Sequence, residues 1–321
     1  MAAEGKAREV AELLAGTPTN WGRWGDSDQV GALNFLTAEE VLRGVAAIQR
    51  GIVFTLGAPT AGPEGEPVWP GRAEAQRYNT QDRASYEAGR VEAFIGGVEY
   101  ADDMIVMFLQ GTTHVDALGH VWYEQQLYNG YPANETVDHL GKASVLPIAD
   151  RGIVGRGVLI DMARHKGKPT LERNEPFTLA DVLDAAAAQG TQIERHDILL
   201  IRTGWLQTFY QDRAAFYEEP FLEPGLLYEP EVSRWFHEME IALYGTDTVG
   251  NELTQQPGTG AVSVLHASLM RNLGVAFLEI LRLEDLAADC SRDGEWTFMF
   301  AAAPLKIVGG TGAPVNPIAI K

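Results

Sequence analysis

Cysteine is almost missing from this chain. Cys290 is the only one in 321 residues, so no intrachain disulfide can form and no thiolate cluster can hold a metal. A reducing compartment suits that composition. Long apolar runs are missing too: nowhere do eighteen apolar residues follow one another, and the opening Met-Ala-Ala-Glu-Gly-Lys-Ala-Arg-Glu-Val has no apolar signal-peptide core. A soluble, cytoplasmic protein with no membrane contact is expected. Basic residues are outnumbered, with 25 Lys and Arg against 44 Asp and Glu, for a formal charge of -19. A surface of that sign repels phosphate backbones and anionic lipids, which argues against nucleic acid and leaves a small molecule as the expected partner. There is no Gly-x-Ser-x-Gly elbow, no Walker A loop and no Gly-x-Gly-x-x-Gly between a strand and a helix. Nor is there a repeat with a period of 20 to 50 residues.

At 45% hydrophobic and 21% charged, the chain is ordinary for a globular protein and long enough for a large core. Residues 157–161 and 197–202 read as buried strands, and 178–188 as a capped helix with Leu179, Val182, Leu183 and Ala186 inward. A helix over 229–239 and a strand over 241–244 continue the alternation, which predicts an α/β fold. Earlier, 3–15 suggests a short amphipathic helix. Thr37 and Glu40 resemble a capping box opening a helix that turns Val41, Leu42, Val45 and Ile48 to one face and stops at Gly51. The stretch 57–71 reads as an extended connection and 76–92 as a polar surface excursion. Trp21 and Trp24 lie between glycines in an irregular segment, either packed on the core or forming a lid over a pocket. Trp122, Tyr123, Tyr128 and Tyr131 surround a turn and could wall a pocket for a flat apolar substrate, or be core.

The richest chemistry lies in 108–123, where two of the seven histidines and an aspartate fall within seven residues after an apolar, β-prone run. In a strand the even-numbered Gln110, His114, Asp116 and His120 share one face, whereas in a helix His114 and Asp116 would be about 200° apart. Two imidazoles and a carboxylate suit a borderline divalent metal, with the Gln110 amide oxygen as a further ligand. Near the C-terminus, His266 opens a helical segment to 272 and 275–279 follows as a strand. A helix rising about 10 Å and a strand running back about 15 Å can return Glu279 towards His266. A strand over 296–300 follows, and Pro304 and Pro314 exclude a central strand at their positions. Cys290 is poorly placed as a nucleophile, and His139, His165, His196 and His237 lie in polar stretches expected at the surface. Asp247 and Glu252 can line a pocket or satisfy a turn.

The pattern Gln-x-x-x-His-x-Asp-x-x-x-His at 110–120, centred on Gly111-Thr112-Thr113-His114, resembles the signature of the metal-dependent cyclase family. That family includes bacterial kynurenine formamidases, isatin hydrolases and trans-dienelactone hydrolases. The likeness extends to Tyr128-Asn-Gly-Tyr131, Gly155-Arg-Gly-Val158, Ile201-Arg-Thr-Gly-Trp205 and the 266–279 segment, and covers the chain from about Asn20 onwards, in the long-form branch. It implies one domain over 1–321 of the swivelling β/β/α type, a mixed sheet with flanking helices, with 1–36 as an extension or lid. It also implies a homodimer or homotetramer, and one or two divalent ions, zinc or manganese. On the matching positions, His114 would ligate, Asp116 and Glu279 would bridge, His266 would belong to a second metal position, and His120 would shuttle protons. Trp21, Trp24, Trp122 and Tyr128 are the expected substrate contacts. Gln110 stands where the formamidases have histidine, and the His266-to-Glu279 spacing is one residue longer than in the short forms. Both departures point to the lactone-hydrolase side. The implied reaction is hydrolysis of a small amide or lactone by metal-activated water; the alternatives are a lyase or isomerase working through a metal-stabilised enolate, and a binding protein that keeps only the metal cage.

Overall fold

A strand buried on both faces needs an unbroken apolar run, and such runs occur at intervals through the second half of the chain. In the computed structural model, which describes residues 9–321, they become the centre of a large curled sheet. The strands are β1 Val53–Thr55, β2 Gln76–Gln81, β3 Asp102–Val106, β4 His114–Asp116, β5 Ile153–Asp161, β6 Pro176–Phe177, β7 Ile198–Arg202, β8 Gly225–Leu226, β9 Leu243–Thr246, β10 Ala276–Glu279, β11 Thr297–Ala302, β12 Gly312–Pro314 and β13 Ile318–Ile320. Nine of them form one sheet in the order β1-β13-β11-β5-β7-β9-β10-β4-β12. Its middle, β5-β7-β9-β10, is parallel. Antiparallel strands complete both sides.

The crossovers are helical. Leu179–Gln189 returns the chain from β5 to β7, and Trp205–Gln211, Arg213–Phe216 and Pro230–Met239 lie between β7 and β9. The helix Leu179–Gln189 starts in a reciprocal capping box between Thr178 and Asp181 and ends at Gly190 in the left-handed region, so both ends are satisfied locally. Its buried face is Val182, Ala185 and Ala186; Leu183, expected inward, points to solvent because the sheet meets the small residues. On β11 the burial alternates, Phe298 and Phe300 inward and Thr297 and Met299 half-buried, as an antiparallel strand covered on one face requires.

Several other expectations are corrected. The helix after Thr37 spans Ala38–Ala46 and ends short of Gly51. Thr37 makes no side-chain cap bond, and the Glu40 carboxylate that would complete a capping box goes instead to His196 Nδ1 at 2.8 Å and to Arg43 Nε at 2.6 Å. Leu42 and Val45 face outward, and the inward contact is Gly44, whose Cα lies on the β5 backbone. Of the helix expected over 3–15, Val10–Leu13 is present and positions 3–8 lie outside the described residues. The apolar run before the His/Asp motif does not continue into it: β3 pairs only with β2, in a two-stranded ribbon exposed along its length. The expectation for the prolines holds: Pro304 lies beyond the end of β11, and Pro314 sits in β12 at the sheet edge, where a missing N–H is tolerated.

The start of the segment 20–36 packs behind the site-forming region. Asn20 Nδ2 donates to Leu273 O at 2.9 Å and Trp21 Nε1 to Arg271 O at 2.9 Å. No helix among the described residues is long and apolar enough to cross a membrane. A Cβ on Gly44 would stand 2.6 Å from the Gly155 carbonyl carbon. Gly44→Ala is therefore expected to destabilise the fold by about 1–3 kcal/mol despite the better helix propensity of alanine, measurable by urea unfolding.

Candidate metal centre

Three of the site's side chains are aligned by strand register alone. His114 and Asp116 are two apart on β4 and so share a face. On the neighbouring β10, Glu279 is directly opposite His114. On the other side of β4, Gly312 of β12 is opposite Asp116, and a Cβ there would lie 2.7 Å from Gln110 Nε2 and 3.4 Å from Asp116 Oδ1. The fourth side chain, His266, begins the π-helix His266–Asn272. The wider turn of a π-helix takes up extra chain, which accommodates the long His266-to-Glu279 spacing.

Both imidazoles are oriented by what their Nδ1 atoms touch. His114 Nδ1 is 2.6 Å from Thr112 O, and His266 Nδ1 is 2.5 Å from Glu252 Oε1. A carbonyl oxygen can only accept, so His114 donates through Nδ1 and, once its second proton is displaced, presents the Nε2 lone pair inward; Glu252 orients His266 in the same way. Glu252 also accepts from Leu265 N at 2.8 Å and His266 N at 3.1 Å, fixing the start of the π-helix. The two carboxylates divide their oxygens between the rings. His114 Nε2 is 3.4 Å from Asp116 Oδ1 and 3.1 Å from Glu279 Oε2; His266 Nε2 is 3.9 Å from Asp116 Oδ2 and 3.4 Å from Glu279 Oε1.

Four of these buried atoms, His114 Nε2, both Asp116 oxygens and Glu279 Oε1, have no hydrogen-bond partner. Each such atom costs about 1–3 kcal/mol, so four together rival a typical folding stability of about 5–15 kcal/mol. A cation at their centre removes that cost. The spacing favours an ion over direct pairing, since donors about 2.1 Å from one ion at tetrahedral angles lie about 3.4 Å apart. His114, Asp116 and Glu279 each offer an atom within 4.8 Å of the others. Imidazole nitrogen and carboxylate oxygen together fit a divalent cation.

Protons compete for the same place. Burial alone would lower both imidazoles, but Asp116 and Glu279 around His114, and Glu252 and Glu279 around His266, hold each up to about 10. Asp116 is held well below the carboxylate range: against its burial, the charges of His120, His114 and His266 prevail. His120 goes the other way, lowered by burial and by the His266 and Arg72 charges against the pull of Asp116 and Glu279.

Beside the centre is a cavity of about 250 Å³ whose lining includes Trp69, Arg72, His120, Glu252, His266 and Glu279. Glu223 supports its wall from behind, accepting from Val249 N at 2.9 Å, and burial followed by the nearby Glu279 pushes its carboxyl up to about 8. Ile280, next after Glu279, is held at φ 60°, a rare conformation for a β-branched residue, by Ile280 N to Thr248 O at 2.9 Å and Thr113 Oγ1 to Ile280 O at 2.6 Å.

The structure thus brings together His114, Asp116, His266 and Glu279, with His120 in the adjoining cavity. The single-strand argument fails for Gln110 and His120, because β4 is three residues long and both lie in the turns that flank it. Gln110 is tied to Thr311 Oγ1 at 3.1 Å and lies over Gly312, beside Asp116. The four expected substrate contacts are elsewhere. Trp21 stacks under Arg271 and Trp24 packs edge-on to Phe35. Trp122 is exposed, and Tyr128 is fully buried with its hydroxyl on Asp28 at 2.7 Å. The ring that lines the cavity is Trp69, from the stretch read only as a connection. Neither Trp69 nor Arg72 had a local signal, whereas Glu252, read as lining a pocket or satisfying a turn, does line the cavity.

Fold and donor set together define an α/β protein organised around a cation site at the carboxyl ends of parallel strands. Residues 54–252 match the family model described as Putative cyclase, and the chain belongs to that family. Over 95% of this chain and 100% of the other, it is 36% identical to a protein whose crystal structure is described as a novel cyclase, with a TM-score of 0.85. Isatin hydrolase A from Labrenzia aggregata, bound to benzyl benzoate, is 23% identical over 88% of this chain and 97% of its own, with a TM-score of 0.60. Isatin hydrolase A from Ralstonia solanacearum is 21% identical over 89% and 98%, with a TM-score of 0.62. No curated protein matches the chain.

Two outcomes are expected. Glu252→Ala should weaken divalent-metal affinity about 10- to 100-fold, with Glu252→Gln losing less, in competition against a chromophoric chelator. Because each imidazole of the metal-free protein keeps its proton up to about pH 10, an ion must displace those protons. Affinity should therefore rise from about pH 6 to about pH 9, with proton release seen by calorimetry in buffers of different ionisation enthalpy.

Proposed function

We propose that the protein is a metal-dependent hydrolase that opens a small amide or lactone, cyclic or aromatic. The observation that carries this reading is the placing of His120, an imidazole held below its ordinary pKa, on the wall of the cavity that His266 and Glu279 also line. The similar fold of the isatin hydrolases supports it. A bound zinc or manganese ion would supply Lewis acidity and lower the pKa of water from about 15.7 to about 7.

The chain's own residues do the rest. His114, Asp116, Glu279 and His266 would hold the metal, the two carboxylates lying between the two imidazoles and so available to both. Gln110 spends its amide nitrogen on Thr311 Oγ1 beside Asp116. His120 takes a proton from the attacking water and returns it to the leaving nitrogen or oxygen as the acyl C–N or C–O bond breaks, and the water oxygen ends in the product carboxylate. Trp69 offers a ring face to a flat substrate. A homodimer or homotetramer is part of the proposal, supported by the exposed ribbon β2–β3, which leaves Met104, Ile105, Val106 and Phe108 uncovered.

The purified protein is expected to contain stoichiometric metal by elemental analysis, and Asp116→Ala to lose both metal and activity. His120→Ala should keep its metal and lose about 10²- to 10⁴-fold in kcat. Turnover of lactones, isatin and N-formylkynurenine in ¹⁸O-labelled water should place the label in the product. Product free of solvent oxygen, or full activity without metal, would refute the hydrolase.

A further inference from the structure

Among the residues lining the cavity, one side chain carries a permanent positive charge, Arg72. Its one side-chain hydrogen bond among the described residues runs from Nη1 to Gln110 O at 3.2 Å. A guanidinium has five N–H donors in a planar fork, so most of them are uncommitted. In a chain with 44 acidic residues, a guanidinium beside a cavity without a carboxylate on it is a notable arrangement.

The loop that carries Arg72 is also held in place. Buried Glu66 accepts from Ala61 N through Oε1 and from Ala75 N through Oε2, both at 2.7 Å, fastening the loop at its two ends. Tyr217 Oη accepts from Val68 N at 2.9 Å and donates to Val68 O at 3.1 Å, fixing its middle. Arg72 N closes a turn onto Trp69 O at 3.0 Å. Trp69 and Arg72 are therefore presented side by side by a preorganised support.

We propose that Arg72 is an anion subsite: it recognises a carboxylate that the substrate carries apart from the bond being broken, while Trp69 packs on the substrate's flat body. This rests on the hydrolase reading and names its substrate class, an anionic lactone or cyclic amide. The planar fork matches a carboxylate with two parallel hydrogen bonds, and the partly closed cavity strengthens them. Arg72 makes no ion pair with Asp116 or Glu279, the carboxylates of the ligand set, whose surplus of negative charge is met by the cation instead.

The test uses metal-loaded protein titrated calorimetrically with benzoate and with benzamide, its uncharged counterpart. Arg72→Ala is expected to weaken benzoate about 10- to 100-fold and to change benzamide by less than about twofold, with Arg72→Lys in between. The proposal is overturned if benzoate binds the alanine variant as tightly as wild type, if both probes weaken alike, or if wild type does not prefer benzoate. In turnover, the loss should fall on KM for a carboxylate-bearing lactone and spare its neutral analogue; an equal loss on both would also overturn it. Binding is read without turnover, so failure of the hydrolase reading, seen as absence of solvent oxygen in any product, remains a distinguishable result.

Discussion

Electron-pair acceptors gathered where no donor can reach them are the constraint on which the rest of the site depends. His114 Nε2, both Asp116 oxygens and Glu279 Oε1 face one another beside the end of β10 without a hydrogen-bond partner, and only a proton or a cation can answer them. Every nearby device keeps it so. Thr112 O and Glu252 occupy the outer ring nitrogens, β10 and β12 clamp β4 on both sides, and Gly312 leaves room where a side chain would press on Asp116. The fold tolerates this frustration because a surrounding layer of buried apolar residues, Phe277, Leu278 and Val115 among them, makes the strands immovable.

How much of this was legible follows from the range of each interaction. The strands β5, β7 and β10 were readable because burial on both faces writes an unbroken apolar run into the local sequence. His114 and Asp116 were readable because a two-residue spacing is the shortest record of a strand face. Gln110 and His120 were extrapolated from the same alternation, which fails as soon as the strand ends, and the strand ends after three residues. Trp21 and Trp24 stood out for the glycines around them, but glycine marks an irregular backbone and says nothing about which neighbour a ring will meet; for Trp21 it is Arg271, 250 positions away. Glu252 and Arg72 act through contacts that only the folded chain creates.

The two halves of the ligand set have different mechanical backing. His114, Asp116 and Glu279 stand on paired strands and share their register, whereas His266 stands at the first turn of a π-helix and depends on Glu252 for both its ring and its backbone. Ile280, strained directly after Glu279, ties the end of β10 to the turns at Thr113 and Thr248.

Glu66 spends both of its oxygens on the backbone of its own loop. A mouth bordered by a loop so fastened would meet a guest with a fixed outline, and little conformational entropy would be lost on binding. Were a ligand bound there, its selection would rest on shape, and a change of range would come more readily from the side chains the loop displays than from flexing.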